Sequence, residues 1–242
     1  MVVRIKLVSD IHLEVNNIAD NYVESLPKKE GTITVCVLAG DIGNPTLITY
    51  RQFLVDARNK YDHVILVAGN HEYYNYDITE MNTYLHDLCI EVGCIFLQRE
   101  SIVIDGLEFA GATLWVKISD FEQTMAHGVL KELDITTVSQ RELTVAGYNE
   151  LHDDDRKYLE ERLNKNSNLI VISHHPPSRR MCGINNETTG FYCNDLDNMA
   201  RRSLIWLSGH SHFSTHKDNM YTNCVGYPDE ITFFDKDFEL VV

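Results

Sequence analysis

The sequence of 242 residues is short of positive charge: 21 Lys and Arg stand against 36 Asp and Glu, a formal net charge of −15. A broad nucleic-acid or anionic-membrane surface needs a basic face, and no basic stripe runs through this chain. A phosphate-bearing partner would have to be drawn locally, by bound cations. None of the six cysteines (Cys36, Cys89, Cys94, Cys182, Cys193, Cys224) forms a CxxC pair, so zinc-ribbon and thioredoxin-type motifs are excluded. Several lie inside apolar runs, where a buried free thiol is expected. The compartment is therefore read as reducing cytoplasm. No apolar run reaches the roughly 20 residues that a membrane span needs. The opening MVVRIKLVSD is too short for a signal peptide and is broken by Arg4 and Lys6. There is no internal repeat, low-complexity tract or Pro/Gly-rich linker. One domain over residues 1–242 is the expectation, and the length and 44% hydrophobic content suffice for a large core.

Two segment types alternate in the first half. VVRIKLVS, ITVCVLAG and HVILVAGN are short β-branched runs suited to buried strands. Between them, TLITYRQFLVDARNKY places Leu47, Tyr50, Leu54, Ala57 and Tyr61 near one helical face. DITEMNTYLHDLCIEVG does the same with Ile78, Met81, Leu85, Leu88 and Val92, opening on Asp77 as N-cap and closing on Gly93. Such a β-α-β-α order implies parallel strands with covering helices. SIVIDGLEFAGATLWV reads as two strands around the Asp105-Gly106 turn. Residues 118–148 are polar and weakly periodic, a helix-plus-loop segment that could cap a site. LHDDDRKYLEERLNKN reads as a helix with an acidic start suited to its dipole. NLIVIS and SLIWLS are strands again, and ITFFDKDFELVV resembles a last hairpin. The expected class is α/β with two mixed sheets.

Polar residues follow the apolar runs in a regular way. Asp10 and His12 come after IKLVS, Asp41 after TVCVLAG, Asn70, His71 and Glu72 after VILVAG, His174 and His175 after LIVIS, and His210 and His212 after LIWLSG. In open α/β sheets the carboxyl ends of strands form the ligand crevice, so these groups can converge. Carboxylate, amide oxygen and imidazole suit divalent Mn, Fe, Zn, Co or Ni without any thiolate. The ligand supply exceeds what one ion needs. Two ions bridged by Asp41 would use it, and such pairs sit about 3.5–4 Å apart in hydrolytic sites and activate water at neutral pH.

The blocks SDIHLE, AGDIG, AGNHEYY, SHHPPS and LSGHSH, in that order, resemble those of the calcineurin-like metallophosphoesterase superfamily, and MYTNCVGYPDEITFFD resembles the tail of its small bacterial and phage-type members. The resemblance implies a four-layer α/β/β/α sandwich and two divalent ions, with Mn or Fe favoured. Asp10, His12, Asp41 and His212 would hold one ion; Asp41, Asn70, His174 and His210 would hold the other. His174 is preferred to His175 because it leaves the strand first. A metal-bridging hydroxide would attack phosphorus, with Asn70 and His71 as catalytic residues and His71 assisting the leaving group. GDIGNPT lacks the arginine of protein Ser/Thr phosphatases, and Asn44 stands where purple acid phosphatases carry tyrosine. A small phosphate ester is the expected substrate, diester before monoester. A nuclease, or a scaffold of the same fold without chemistry, are the rival readings.

Other residues have plainer roles. Asp153-Asp154-Asp155 reads as helix N-terminal charge rather than a cation site. Arg179-Arg180, on the loop after HHPPS, divides evenly between holding a substrate phosphate and plain surface charge. Arg201-Arg202 reads as a solvated helix end. Tyr73 and Tyr74 could line a pocket, Trp115 is core, and Glu72 supports its neighbours.

Overall fold

The structure, a computed structural model, describes residues 1–17, 22–24, 26–27, 29–183 and 188–242. The first part runs β1 (Val2–Val8), β2 (Thr32–Ala39), α1 (Ile48–Lys60), β3 (His63–Val67), α2 (Ile78–Val92) and β4 (Ile95–Phe96). It continues with β5 (Glu100–Ile104), β6 (Leu107–Ala112), α3 (Gln123–Val129), α4 (Glu132–Ile135), β7 (Thr137–Val138), β8 (Arg141–Glu142) and α5 (Val145–Lys165). The last part holds β9 (Leu169–Ser173), α6 (Asp197–Ala200), β10 (Ile205–Ser208), β11 (Thr215–Lys217), β12 (Met220–Thr222) and β13 (Leu240–Val241).

These strands build two mixed sheets and a small β7-β8 pair. One sheet has the order β13-β1-β2-β3-β4 and the other β11-β12-β10-β9-β6-β5. β1 to β4 are mutually parallel and β13 returns antiparallel on β1. In the second sheet β12, β10, β9 and β6 are parallel, with β11 and β5 antiparallel at the edges. The period-two alternation of a strand sorts side chains between layers. Val3, Ile5, Leu7, Val35 and Val37 face Phe109, Ile170, Ile172 and Leu207 between the sheets. Cys36, Leu38 and Leu66 turn the other way onto Tyr50, Leu54 and Leu85 of α1 and α2. Val171 and Trp206 meet Leu159 and Leu163 of α5. The result is helix, sheet, sheet, helix, the expected four-layer sandwich.

Helix ends follow local chemistry. The Asp77 side chain accepts from the N–H of Thr79 and Glu80, and Gly93 closes α2 in the left-handed region. The Asp105-Gly106 turn has both residues at positive φ, 47° and 83°, as a tight primed hairpin requires.

Four expectations are corrected. Leu47 is the N-cap of α1 and is exposed, because α1 begins one residue later than the apolar periodicity suggests. α5 begins at Val145 behind the Thr144 cap, two turns before the acidic triplet. Asp153-Asp154-Asp155 is therefore mid-helix, and Asp155 is fully buried, accepting from the Leu114 N–H just past β6, rather than facing the dipole. The tail ITFFDKDFELVV forms no hairpin: only Leu240–Val241 is strand, and it pairs with β1. The hairpin there is β11-β12, which follows LSGHSH directly. Residues 118–148 contain α3, α4 and the β7-β8 pair, the last clamped to α2 through Asp77, whose carboxylate accepts from Thr137 Oγ1 and the Gln140 N–H.

Candidate metal centre

Every predicted ligand leaves the carboxyl end of a strand, and the two sheets present those ends side by side. Asp10 and His12 follow β1, Asp41 follows β2, Asn70 and His71 follow β3, His174 follows β9, and His210 and His212 follow β10. Backbone bonds tie the ends together: Asp10 N–H donates to Gly40 O at 3.0 Å and Gly209 N–H to His174 O at 2.9 Å. The backbone is bent hard at the site. Asp10, His12, Asp41, His210 and His212 all have φ between 47° and 64°. Asp and His are among the few side chains that tolerate this region, and its use at five positions in one cleft is strain held by the surrounding bonds.

All seven predicted ligands come together in two groups that share Asp41. In the first, His12 Nε2 lies 3.0 Å from His212 Nε2, which is 3.5 Å from Asp10 Oδ1; His12 Nε2 is 4.0 Å from Asp41 Oδ2. In the second, His174 Nε2 lies 3.1 Å from His210 Nδ1, 3.1 Å from Asn70 Oδ1 and 3.4 Å from Asp41 Oδ2. His174 Nδ1 donates to Ala39 O at 2.9 Å, which in a neutral ring leaves a bare lone pair at Nε2. That lone pair faces an amide oxygen and a carboxylate, which are acceptors too. Only a cation reconciles such a convergence, so the donor set fits divalent metal. In a metal-free protein a proton takes that place: burial opposes it, but Asp41 outweighs burial and raises His174 to about 9.

His71 sits at the mouth of the cleft. Its Nδ1 is 3.1 Å from Glu14 Oε1, its Nε2 is 3.4 Å from Tyr227 Oη and 3.9 Å from Asp41 Oδ2. Its backbone N–H donates to Asp41 Oδ1 at 2.9 Å. Glu14 also meets His12 Nδ1 at 3.3 Å; burial opposes its charge, but the two imidazoles draw it down to about 2. Burial likewise works against charge on His71, and Asp41 with Glu14 raises it above the ordinary imidazole range. Glu72 is fully buried and accepts from the N–H groups of Gly69, Asp41 and Ile42 at 2.7–2.9 Å. It braces the two loops that carry Asp41 and Asn70. His175 lies behind the site, its ring 4.0 Å from that of His210.

The tyrosine pair divides. Tyr73 is buried against Trp115, while Tyr74 lines the cleft and accepts from Asn70 Nδ2 at 2.8 Å. Arg179 and Arg180 do not line this cleft. Arg180 pairs with Asp197 and Asp218, and Arg179 lines a separate hollow with Lys117 and Arg156. Arg201 and Arg202 are exposed at the end of α6, as read. Glu14, Tyr227 and Glu230 were missed. Glu230 Oε2 lies 2.5 Å from His212 Nδ1. The spacing Asp10, His12, Glu14 is the one available signal for Glu14. Tyr227 and Glu230 have none, because the loop bearing them arrives through the Val225 and Gly226 N–H bonds to Ser9 O and Asp10 O.

Known proteins share this fold. Among solved structures, the phosphopantetheinyl hydrolase of Mycobacterium tuberculosis is similar at a TM-score of 0.76, 18% identical, covering 93% of this chain and 90% of that one. A putative 5′-nucleotidase of Staphylococcus aureus matches at 0.50 and 16% identity, this chain spanning 49% of its length. At such identities the likeness is one of fold. An uncharacterised protein of Acanthamoeba polyphaga mimivirus is 29% identical over 260 aligned positions, covering 93% of this chain and 92% of its own length. The family model for calcineurin-like phosphoesterases matches residues 3–214, and the chain belongs to that family.

Proposed function

We propose that the protein is a dinuclear metal-dependent phosphoesterase acting on a small phosphate ester, with diesters preferred to monoesters. One observation carries the reading: seven metal-type donors from five strand ends converge around a shared Asp41, with imidazole and oxygen lone pairs aimed at one another. Asp10, His12, Asp41 and His212 would hold one divalent ion, and Asp41, Asn70, His174 and His210 the other, with Mn or Fe favoured. The ions would supply Lewis-acid charge and a water acidic enough to ionise near neutral pH.

The chain's own groups account for the rest. Asn70 is anchored by Tyr74, which fixes its side-chain amide beside the phosphoryl position. His71, aimed by Glu14 at Nδ1, would carry a proton at Nε2 for the leaving oxygen. The diester preference rests on the cleft lining, which among the described residues includes no arginine or lysine. A monoester dianion is commonly gripped by arginine, whereas a diester carries one charge less. The −15 charge disfavours a nuclease, and the completeness of the ligand set disfavours a scaffold without chemistry.

The test is paired turnover. The protein is stripped, reloaded with Mn²⁺ and assayed on bis-p-nitrophenyl phosphate and p-nitrophenyl phosphate, with Asp41→Asn alongside. The expected result is metal-dependent turnover with higher kcat/KM on the diester, and Asp41→Asn losing at least about 100-fold with fewer bound ions. Full activity and two ions in Asp41→Asn would overturn the reading.

A further inference from the structure

The cleft, about 350 Å³ in all, runs on past the metal-type residues to a hollow part walled by Tyr74, Val129, Leu130, Phe191 and Tyr192, with Glu132 among them. Glu132 is only 2% exposed, and beside its carboxyl stands the buried Tyr148 phenol. A buried carboxyl with one phenol beside it keeps oxygen lone pairs to spare, and a bound group that donates to them offsets the cost of its burial. The position is built rather than incidental. α4, which Glu132 begins, is pinned to the loop after the Asn70-His71 block by Asn75 N–H to Ile135 O at 3.0 Å and Thr137 N–H to Tyr76 O at 3.2 Å.

We propose that Glu132 is the specificity residue of this site and accepts a hydrogen bond from the ring N–H of a planar nitrogen heterocycle, such as a nucleobase, carried by the ester. The proposal rests on the phosphoesterase reading. The walls favour a flat ring: three aromatic and two aliphatic side chains line the hollow, and ring stacking is their common use. An alkylammonium group is the main rival for a carboxylate among aromatic rings. It is disfavoured here because the His71 ring, itself in the cleft lining, already packs on Tyr74 at 4.3 Å. Burial raises the Glu132 carboxyl to about 7, so a neutral form that both donates and accepts is also within reach, matching the paired edge of a base.

The experiment compares KM values of the Mn²⁺-loaded protein on p-nitrophenyl esters of thymidine and guanosine 5′-phosphates, on methyl p-nitrophenyl phosphate, and on 2-aminoethyl p-nitrophenyl phosphate. The base-bearing esters are expected to have KM at least tenfold below the methyl ester. In Glu132→Ala that ratio should fall close to one, and Val129→Trp, which fills the hollow, should do the same. An undiminished ratio in either folded variant, or preference for the aminoethyl ester, overturns the proposal. If no ester is hydrolysed, the phosphoesterase reading fails separately, and calorimetry with guanosine and thymidine alone decides. Binding to the wild type that is lost in Glu132→Ala upholds the pocket, and no binding to the wild type overturns it.

Discussion

Asp41 shows how much one residue can be asked to do. Its φ of 53° follows Gly40 at 86°, and its two oxygens serve both ligand groups. The preceding glycine is required sterically: a Cβ at Gly40 would collide with His174 Nδ1 and stand 2.7 Å from Gly69 N. Gly40→Ala is therefore expected to cost more than about 3 kcal/mol, read as a lowered midpoint in urea, with loss of metal binding. Glu72 acts by bracing. Replacing it with alanine strands three buried N–H donors, an expected loss of ~3–9 kcal/mol at about 1–3 kcal/mol each. Glu14→Ala frees the His71 ring, and kcat should fall about 10–100-fold with little change in ions bound, which turnover and metal analysis together report. The seven candidate ligands could be picked out in the sequence because each is a metal-type residue just after an apolar strand. Glu230 and Tyr227 were not, because nothing in the local sequence of a loop says which strand end it will cover.

At the scale of elements, α5 carries the clearest pH effect. Asp155 is fully buried, accepts from Leu114 N–H at 2.9 Å and Gln98 Nε2 at 3.0 Å, and meets Arg99 at 3.3 Å. Burial nevertheless pushes its carboxyl up to about 7. A folded value above the unfolded one means that the native state binds the proton more tightly. The stabilisation is full below about pH 4 and is lost as pH rises through 7. Urea unfolding at pH 5 and pH 8 should show the wild type losing on the order of 2–4 kcal/mol relative to Asp155→Asn. Asp77 joins two elements, capping α2 and holding the β7-β8 pair. Asp77→Ala should cost about 2–4 kcal/mol, from one lost cap and two further bonds. The cap was readable from the sequence; the second duty was not, since β7 and β8 are two residues each and carry no periodicity. The acidic triplet misleads for a related reason. Helix start signals are local, and the Thr144 cap lies beyond the charged stretch that draws the eye.

At the scale of the molecule, the site lies along a seam between two sheets rather than inside either. His174 Nδ1 from the second sheet donates to Ala39 O of the first, and Asp10 of the first accepts from the His210 N–H of the second, at 2.9 Å and 2.9–3.0 Å. Ions bound there would couple the halves and oppose their self-repelling acidic side chains. Chelation is expected to lower Tm, and Mn²⁺ at about 1,000 times its Kd should restore about 4 kcal/mol per site. Calorimetry with and without chelator checks this. Among the described residues no helix is long and apolar enough to cross a membrane.

The sequence by itself determined the layers and the chemistry. Strand periodicity, helix caps and the residue types after each run are local properties, and they sufficed for an α/β class with two mixed sheets and a set of oxygen and nitrogen donors suited to metal, while the four-layer arrangement followed from the family resemblance. Only the tertiary structure decided how the parts share space. It sent β13 back to β1, buried Asp155 mid-helix, and carried Arg179 and Arg180 away from the cleft. It also brought Glu14, Tyr227, Glu230 and Glu132 to it. Those outcomes depend on contacts between residues far apart in the chain, where no local periodicity or spacing carries the information.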